Sequence, residues 1–296
     1  MPSFRSPKSQ SDHAVSQKVS LGTGRHDHRD DGRIHSVGTA RNYSTSLKGS
    51  ARFMRENRLG DLRSMTPEIA MRYLASRAAT VSQKTLDLDR QALQMHLGVK
   101  LDVVKSQVET KLSTRSYTPA QVQRIAAAQS EKNSLATQIA YCAGLRAHEL
   151  QTIRPPGEQH PSSHRVWSQE RFSGRDGVRY TVTGKGGLVR EILLSKVLAT
   201  RLEETRLAEP RQVVDRGVNY IQHYDIGGGR AWSQSFSAAS QRELGFSTGA
   251  HGLRHSYAQE RMEELQRSGM SYETAKATVA QEVGHFESDT TEAYLR

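Results

Sequence analysis

The chain has 296 residues, room for one large or two modest domains, and 42 Lys and Arg against 31 Asp and Glu give it a net charge of +11. That surplus attracts polyanions, nucleic acid foremost, but suits a basic protein without such a partner equally well and says nothing about chemistry. Composition excludes a membrane-spanning helix, since no run approaches the ~18 apolar residues required, and the single cysteine, Cys142, excludes an internal disulfide.

The first residues, MPSFRSPKSQ, lack the apolar stretch of a signal peptide, and one lone thiol suits a reducing cytoplasm. Residues 1–42 are rich in Ser, Gly, Arg, Asp and His with almost no apolar periodicity, so a flexible basic arm is expected there. Arg5, Lys8, Lys18, Arg25, Arg29, Arg33 and Arg41 would let it track a DNA backbone. Its histidines (His13, His26, His28, His35) lack the ordered spacing of a metal site.

Helical patterning begins near Asn42 with Leu47, Ala51 and Met54. Thr66-Pro67 starts a second helix, whose apolar face is Ile69, Tyr73 and Leu74. A third carries Leu86, Leu93 and Leu97 and stops at Gly98. These make a small helical domain over 43–105, and 106–117 reads as a polar linker. Thr118-Pro119-Ala120-Gln121 is a capping-box start, and LATQIAYCAG reads as a further helix with Cys142 a buried structural thiol. VRYTVTGKGGLVREILLS is the one clear β signal, a hairpin with Lys185 at its tip. From Ser195 onward the chain reads as mostly helical, broken at Gly227-Gly228-Gly229.

Four segments place a cation, an imidazole or a phenol beside turn chemistry. GLRAHEL sets Arg146 at the mouth of a helix with Glu149 three residues on. HGLRH sets His251 and Arg254 one helical turn apart, on one face. VGHFESDTTEAYL sets His285 after a glycine and Tyr294 nine positions later. Each alone is weak, since an isolated arginine is usually solvated or ion-paired. His251 and His255 have the i, i+4 spacing of a helical zinc site but lack the glutamate base and a third ligand, so His255 reads as a packed or capping histidine.

Taken together and in this order, the segments resemble the catalytic domain of the tyrosine recombinase (lambda-integrase-like) family. The resemblance rests on Gly144-Leu145-Arg146 with Glu149-Leu150, the hairpin Lys185, the H-x-x-R pair His251 and Arg254, Gly284-His285, and Tyr294 preceded by Thr290-Thr291. It implies a mainly α fold with a small antiparallel β-hairpin or sheet: a helical core-binding (SAM-like) domain clamping DNA at 43–105 and an α+β catalytic domain at 118–296. It implies a site-specific DNA recombinase or integrase that integrates or excises a phage genome or mobile element, in the cytoplasm of a bacterium. Its partner would be double-stranded DNA at specific sites, bound as a homotetramer, with no metal, nucleotide or other cofactor.

The chemistry agrees. Transesterification at a phosphodiester builds negative charge on phosphoryl oxygens, which Arg146 and Arg254 would meet with planar forks of donors. By the same resemblance Lys185 is the general acid to the 5′ oxygen, His251 assists Tyr294, His285 donates a hydrogen bond to phosphate, and Glu149 braces the cluster. The product is a 3′-phosphotyrosyl enzyme, whose bond stores the energy for rejoining without ATP. Three features depart from the pattern: the 31 positions from Arg254 to His285, Ala143 before Gly144, and an end at Arg296 just after Tyr294, where many relatives extend a tail into a neighbour. Either the sequence is cut short there or assembly uses another element. Two other readings are a type IB topoisomerase-like enzyme and a non-catalytic DNA-binding accessory protein of the same fold.

Overall fold

The computed structural model describes residues 6–21, 32–109, 114–155, 157–286 and 289–295, and the chain divides into two compact units, Met1–Leu112 and Ser113–Arg296.

The first unit is helical: α1 (Pro7–Ser16), α2 (Val37–Glu56), α3 (Pro67–Arg77) and α4 (Gln83–Leu97). The start of α3 is set as the sequence dictates, with the Thr66 side chain accepting from the Ile69 N–H and Pro67 in the first turn. Gly98 ends α4 in the left-handed conformation. Leu47, Ala51, Met54, Tyr73, Leu74, Leu86 and Leu93 form its core.

The expected arm at 1–42 needs correction where it is described. Residues 7–16 are a helix capped by Ser6, α2 already begins at Val37, and Val15 and Ile34 are buried in the same core. The apolar pattern was too thin to announce this, because half of the buried face is polar. Ser11 is buried with its hydroxyl on the Lys8 carbonyl, and the Gln10 side chain accepts from the Leu62 N–H at 3.0 Å. Arg5, Arg25, Arg29, His26 and His28 lie outside the described residues. The expected linker also begins inside this unit, with Gln107 N–H on the Ala78 carbonyl and the Ser106 hydroxyl on that of Val81.

The second unit is α+β. Helices α5 (Pro119–Ala127) and α6 (Glu131–Ala143) lead to the hairpin β1 (Val178–Thr183) and β2 (Val189–Leu194), then α7 (Lys196–Glu203), a hairpin β3 (Arg206–Asp215) and β4 (Val218–Tyr224), and α8 (Gly229–Leu244), α9 (Gly252–Arg267), α10 (Tyr272–Glu282) and α11 (Asp289–Glu292). The Thr118–Gln121 capping box forms. In the first hairpin Thr183 pairs with Val189 and Val178 with Leu194, so Tyr180, Val182, Ile192 and Leu194 join Leu135, Ile139, Trp232 and Phe236 in the core. Cys142 is only half-buried.

The mostly helical expectation after Ser195 fails at β3 and β4. Their alternation is faint because most of β3 is exposed. A signal was nonetheless present at Asp215-Arg216-Gly217, where Arg216 and Gly217 both take positive φ (52° and 80°), as a primed two-residue turn demands. Among the described residues no helix is long and apolar enough to cross a membrane, and no group of three or more His, Cys, Asp or Glu could hold a metal ion.

Because α1 packs rather than waves, Val15→Asp should destabilise the helical unit by about 1–3 kcal/mol. Denaturant unfolding checks this; an unchanged transition would restore the mobile arm.

Candidate active site

The α6 helix ends at Gly144, whose φ of 60° and whose position against the Tyr257 ring, 2.8 Å from an added Cβ, both demand glycine. Arg146 therefore lies past a helix end, in the turn before Glu149, and not at the mouth of a helix as the sequence suggested. Glu149 is fully buried. One carboxylate oxygen takes Arg146 Nη1 at 2.9 Å; the other takes the Arg146 N–H and Arg190 Nη2, each at 2.8 Å, with Arg254 Nη1 at 3.9 Å. Burial alone would raise its pKa, but the guanidiniums of Arg190, Arg254 and Arg146 outweigh it and hold the carboxyl well below its usual range.

Arg254, also fully buried, donates to the carbonyls of Gly144 (2.7 Å) and Val283. Burial and then the nearby Arg146 push its pKa down to about 10, still charged at neutral pH. It joins the end of α6 to the end of α10, where the turn Gly284-His285 begins.

His285 is the meeting point. Its Nε2 lies 2.9 Å from Arg146 Nη2 and 3.5 Å from Arg254 Nη2. Guanidinium can only donate, so Nε2 accepts and the neutral ring carries its proton on Nδ1. That nitrogen is buried without a partner among the described residues. Burial first, then Arg254 and Arg146, drive the His285 pKa down to about 3.

The ring of Tyr294, 8 % exposed, stacks on His285 at 5.5 Å and 25°. It also meets His251 at 5.5 Å and His255 at 4.8 Å, and the Arg254 guanidinium lies 5.4 Å from its centroid. His251 is the exposed N-cap residue of α9 and Arg254 lies in the first turn, so the one-turn spacing read from HGLRH turns both toward the phenol. Desolvation of the His251 ring, then the charge of Arg254, lowers its pKa to about 4.

Lys185 sits exposed at the hairpin tip and lines, with Arg146, Arg190 and His285, a cleft of about 300 Å³. Tyr294 is not on that wall. The structure thus brings six of the seven sequence-derived residues (Arg146, Glu149, His251, Arg254, His285 and Tyr294) into one contact network, and Lys185 lines the same cleft as Arg146, Glu149 and His285 without a hydrogen bond or ion pair to them among the described residues.

Two residues escaped the sequence reading. Arg190, 1 % exposed, bonds Glu149 and the Glu282 carbonyl (2.9 Å), and its side chain fills the space beside Gly284. Its signal was a charge at an inward position of the alternating strand VREILL. His255 is buried, as its reading as a packed histidine had it, but against Tyr294.

Neither a family sequence profile nor a curated protein sequence matches the chain. Its structure is similar to XerH site-specific recombinase bound to a palindromic difH substrate (TM-score 0.58, 15 % identity, 98 % of this chain and 90 % of that one). It is similar also to a lambda integrase dimer bound to a COC′ core site (0.57, 16 %, 92 % and 75 %). A lambda integrase tetramer bound to a Holliday junction gives 0.54 at 15 % identity, over 96 % and 80 %. The chain therefore has the lambda-integrase-like fold of the tyrosine recombinases.

The His285 pKa makes acid stability testable. Imidazoles free in the unfolded chain protonate below about 6.5 while folded His285 stays neutral to about 3, so the unfolded state binds more protons and stability falls as pH drops below 6.5. Carboxylates such as Glu149 add their loss only below their ordinary 4.5. His285→Gln should therefore flatten the decline between pH 6.5 and 4.5 by up to about 1.4 kcal/mol per pH unit. Denaturant midpoints across that window check it; an unaltered slope would mean His285 is not held neutral.

Proposed function

We propose that this chain is a tyrosine site-specific recombinase, cutting and rejoining double-stranded DNA through a 3′-phosphotyrosine at Tyr294 to integrate or excise a phage genome or mobile element. The observation that carries the reading is the packing of the Tyr294 ring on His251, His285 and Arg254, with Arg146 bonded to that same His285.

The scissile phosphate enters the cleft beside Arg146. Arg146 Nη2, now on a neutral imidazole, turns to a non-bridging oxygen, a stronger acceptor because it is charged. Arg254 supplies fixed positive charge beside the phenol, and His285 Nδ1–H is a donor in want of an acceptor. The Tyr294 oxygen attacks phosphorus, and its proton passes to His251, which is neutral at physiological pH. The bond from phosphorus to the 5′ oxygen breaks, and that oxygen takes a proton from Lys185. Attack by a 5′ hydroxyl of a second duplex reverses the steps and exchanges strands. Glu149 touches no DNA; it keeps the three guanidiniums together. The helical unit serves as the core-binding clamp, and the lambda integrase tetramer on a Holliday junction supports a tetramer on paired sites.

A pool of nicked duplexes with randomised sequence, whose short 5′ fragment diffuses away after cleavage, tests this. The protein should become covalently attached to a selected subset, and Tyr294→Phe should capture none. Arg146→Ala should keep DNA affinity within about threefold, one phosphate contact among many, while cleavage falls about 100-fold or more. Relaxation of any supercoiled plasmid would favour the topoisomerase reading, and binding without covalent capture the accessory protein.

A further inference from the structure

Between Glu149 and β1 runs a long surface segment that the chemistry above does not use. Its stretch Gln159–Ser173 touches both walls of the cleft. At one end it is sewn to the Lys185 hairpin. The Ser162 N–H donates to the Val189 carbonyl and the Val189 N–H to the Ser162 hydroxyl, both at 3.0 Å. The Gln159 side chain adds bonds to Thr181 and Thr183 on β1.

At the other end it is sewn to the turn that carries His285. Trp167 meets the Phe286 ring edge-on at 5.0 Å, and the Arg165 guanidinium lies 4.7 Å from the same ring. The Ser168 N–H donates to the Gln281 side chain and the Phe172 N–H to the Glu282 carboxylate, each at 2.7 Å. Phe172 is held there with a φ of 65°, a left-handed conformation a phenylalanine adopts only where its surroundings dictate it. The Trp167 indole N–H donates to the Ser162 carbonyl at 3.1 Å, so the two anchors are tied to each other. Between them Val166 stands 90 % exposed, which marks the segment as a surface strap rather than a core element.

The two walls differ in how else they are held. The His285 turn is fixed by Arg254 on Val283, and Arg190, on the hairpin's own strand β2, already ties that strand to the Glu282 carbonyl. The hairpin tip, Lys185-Gly186-Gly187, is exposed, and two of its residues are glycines with positive φ. The strands below are anchored by Arg190 and by the Thr183 N–H on the Thr152 hydroxyl, so the part of this wall that needs holding is the tip that carries the lysine.

We propose that Gln159–Ser173 is a strap coupling the Lys185 hairpin to the His285 turn, with Trp167 and Ser162 as positioning residues that hold the Lys185 ammonium over the leaving oxygen. Its catalytic consequence rests on the recombinase reading; its structural consequence does not.

Two measurements test it. Hydrogen exchange needs no DNA: in Trp167→Ala the amides of Gly184 and Val189 should exchange at least tenfold faster, and in Trp167→Phe, which keeps an aromatic edge for Phe286 but loses the indole N–H bond to Ser162, at a rate between those of Trp167→Ala and the parent. Unchanged exchange overturns the strap. The second compares single-turnover cleavage of a captured duplex with that of the same duplex bearing sulfur in place of the bridging 5′ oxygen, a leaving group that needs no proton. Trp167→Ala should slow the oxygen substrate at least tenfold and Ser162→Ala at least threefold, while both stay within twofold of the parent on the sulfur substrate. Equal loss on both substrates, or loss on neither, overturns positioning of Lys185. Should the parent protein form no adduct on either substrate, the recombinase reading fails, and the exchange result still decides the strap.

Discussion

The second unit is organised around a buried carboxylate. Glu149 draws Arg146, Arg190 and Arg254 to one point, and each guanidinium arrives from a different part of the chain: the end of α6, the strand β2 and the start of α9. Three like charges would not otherwise share a desolvated space, and a desolvated carboxylate would not otherwise stay ionised. The cluster is mutually required, and its remaining donors reach the carbonyls of Gly144, Glu282 and Val283. It therefore sets both the positive field of the cleft and the path of the backbone into the His285 turn.

That field has a second effect. The imidazoles beside the guanidiniums cannot also be cations, so His285 and His251 are held neutral far below their usual range. One face of the site offers permanent charge, and the residues on the phenol offer proton acceptors and neutral donors. Permanent charge and neutral imidazole thus stand side by side, and desolvation beside arginine produces the second from the first.

The sequence was most legible where a local rule acts alone. Thr66-Pro67, Gly98 and the Thr118–Gln121 box each determine a helix end through bonds within a few residues, and the Tyr180, Val182, Ile192, Leu194 alternation determines a buried hairpin face. It was least legible where burial is polar or weak. α1 hides a face containing Gln10 and Ser11, β3 shows most of its side chains to solvent, and Arg190 looks like a surface arginine until its strand is given an inside. His255 could be read as packed, yet nothing local says that its neighbour is Tyr294.

By itself, then, the sequence determined the chemical inventory and the ends of most elements, because charge, capping and alternation are properties of neighbours along the chain. Its short motifs, taken in order, also marked Arg146, Lys185, His251, Arg254, His285 and Tyr294 as a set through their resemblance to the tyrosine recombinase family. Only the tertiary structure decided which of them touch, which imidazole nitrogen carries a proton, and that a surface segment ties the lysine's hairpin to the histidine's turn. Those depend on the distances between residues as much as 139 positions apart, as Arg146 and His285 are, and on the water excluded between them, and no local pattern encodes either.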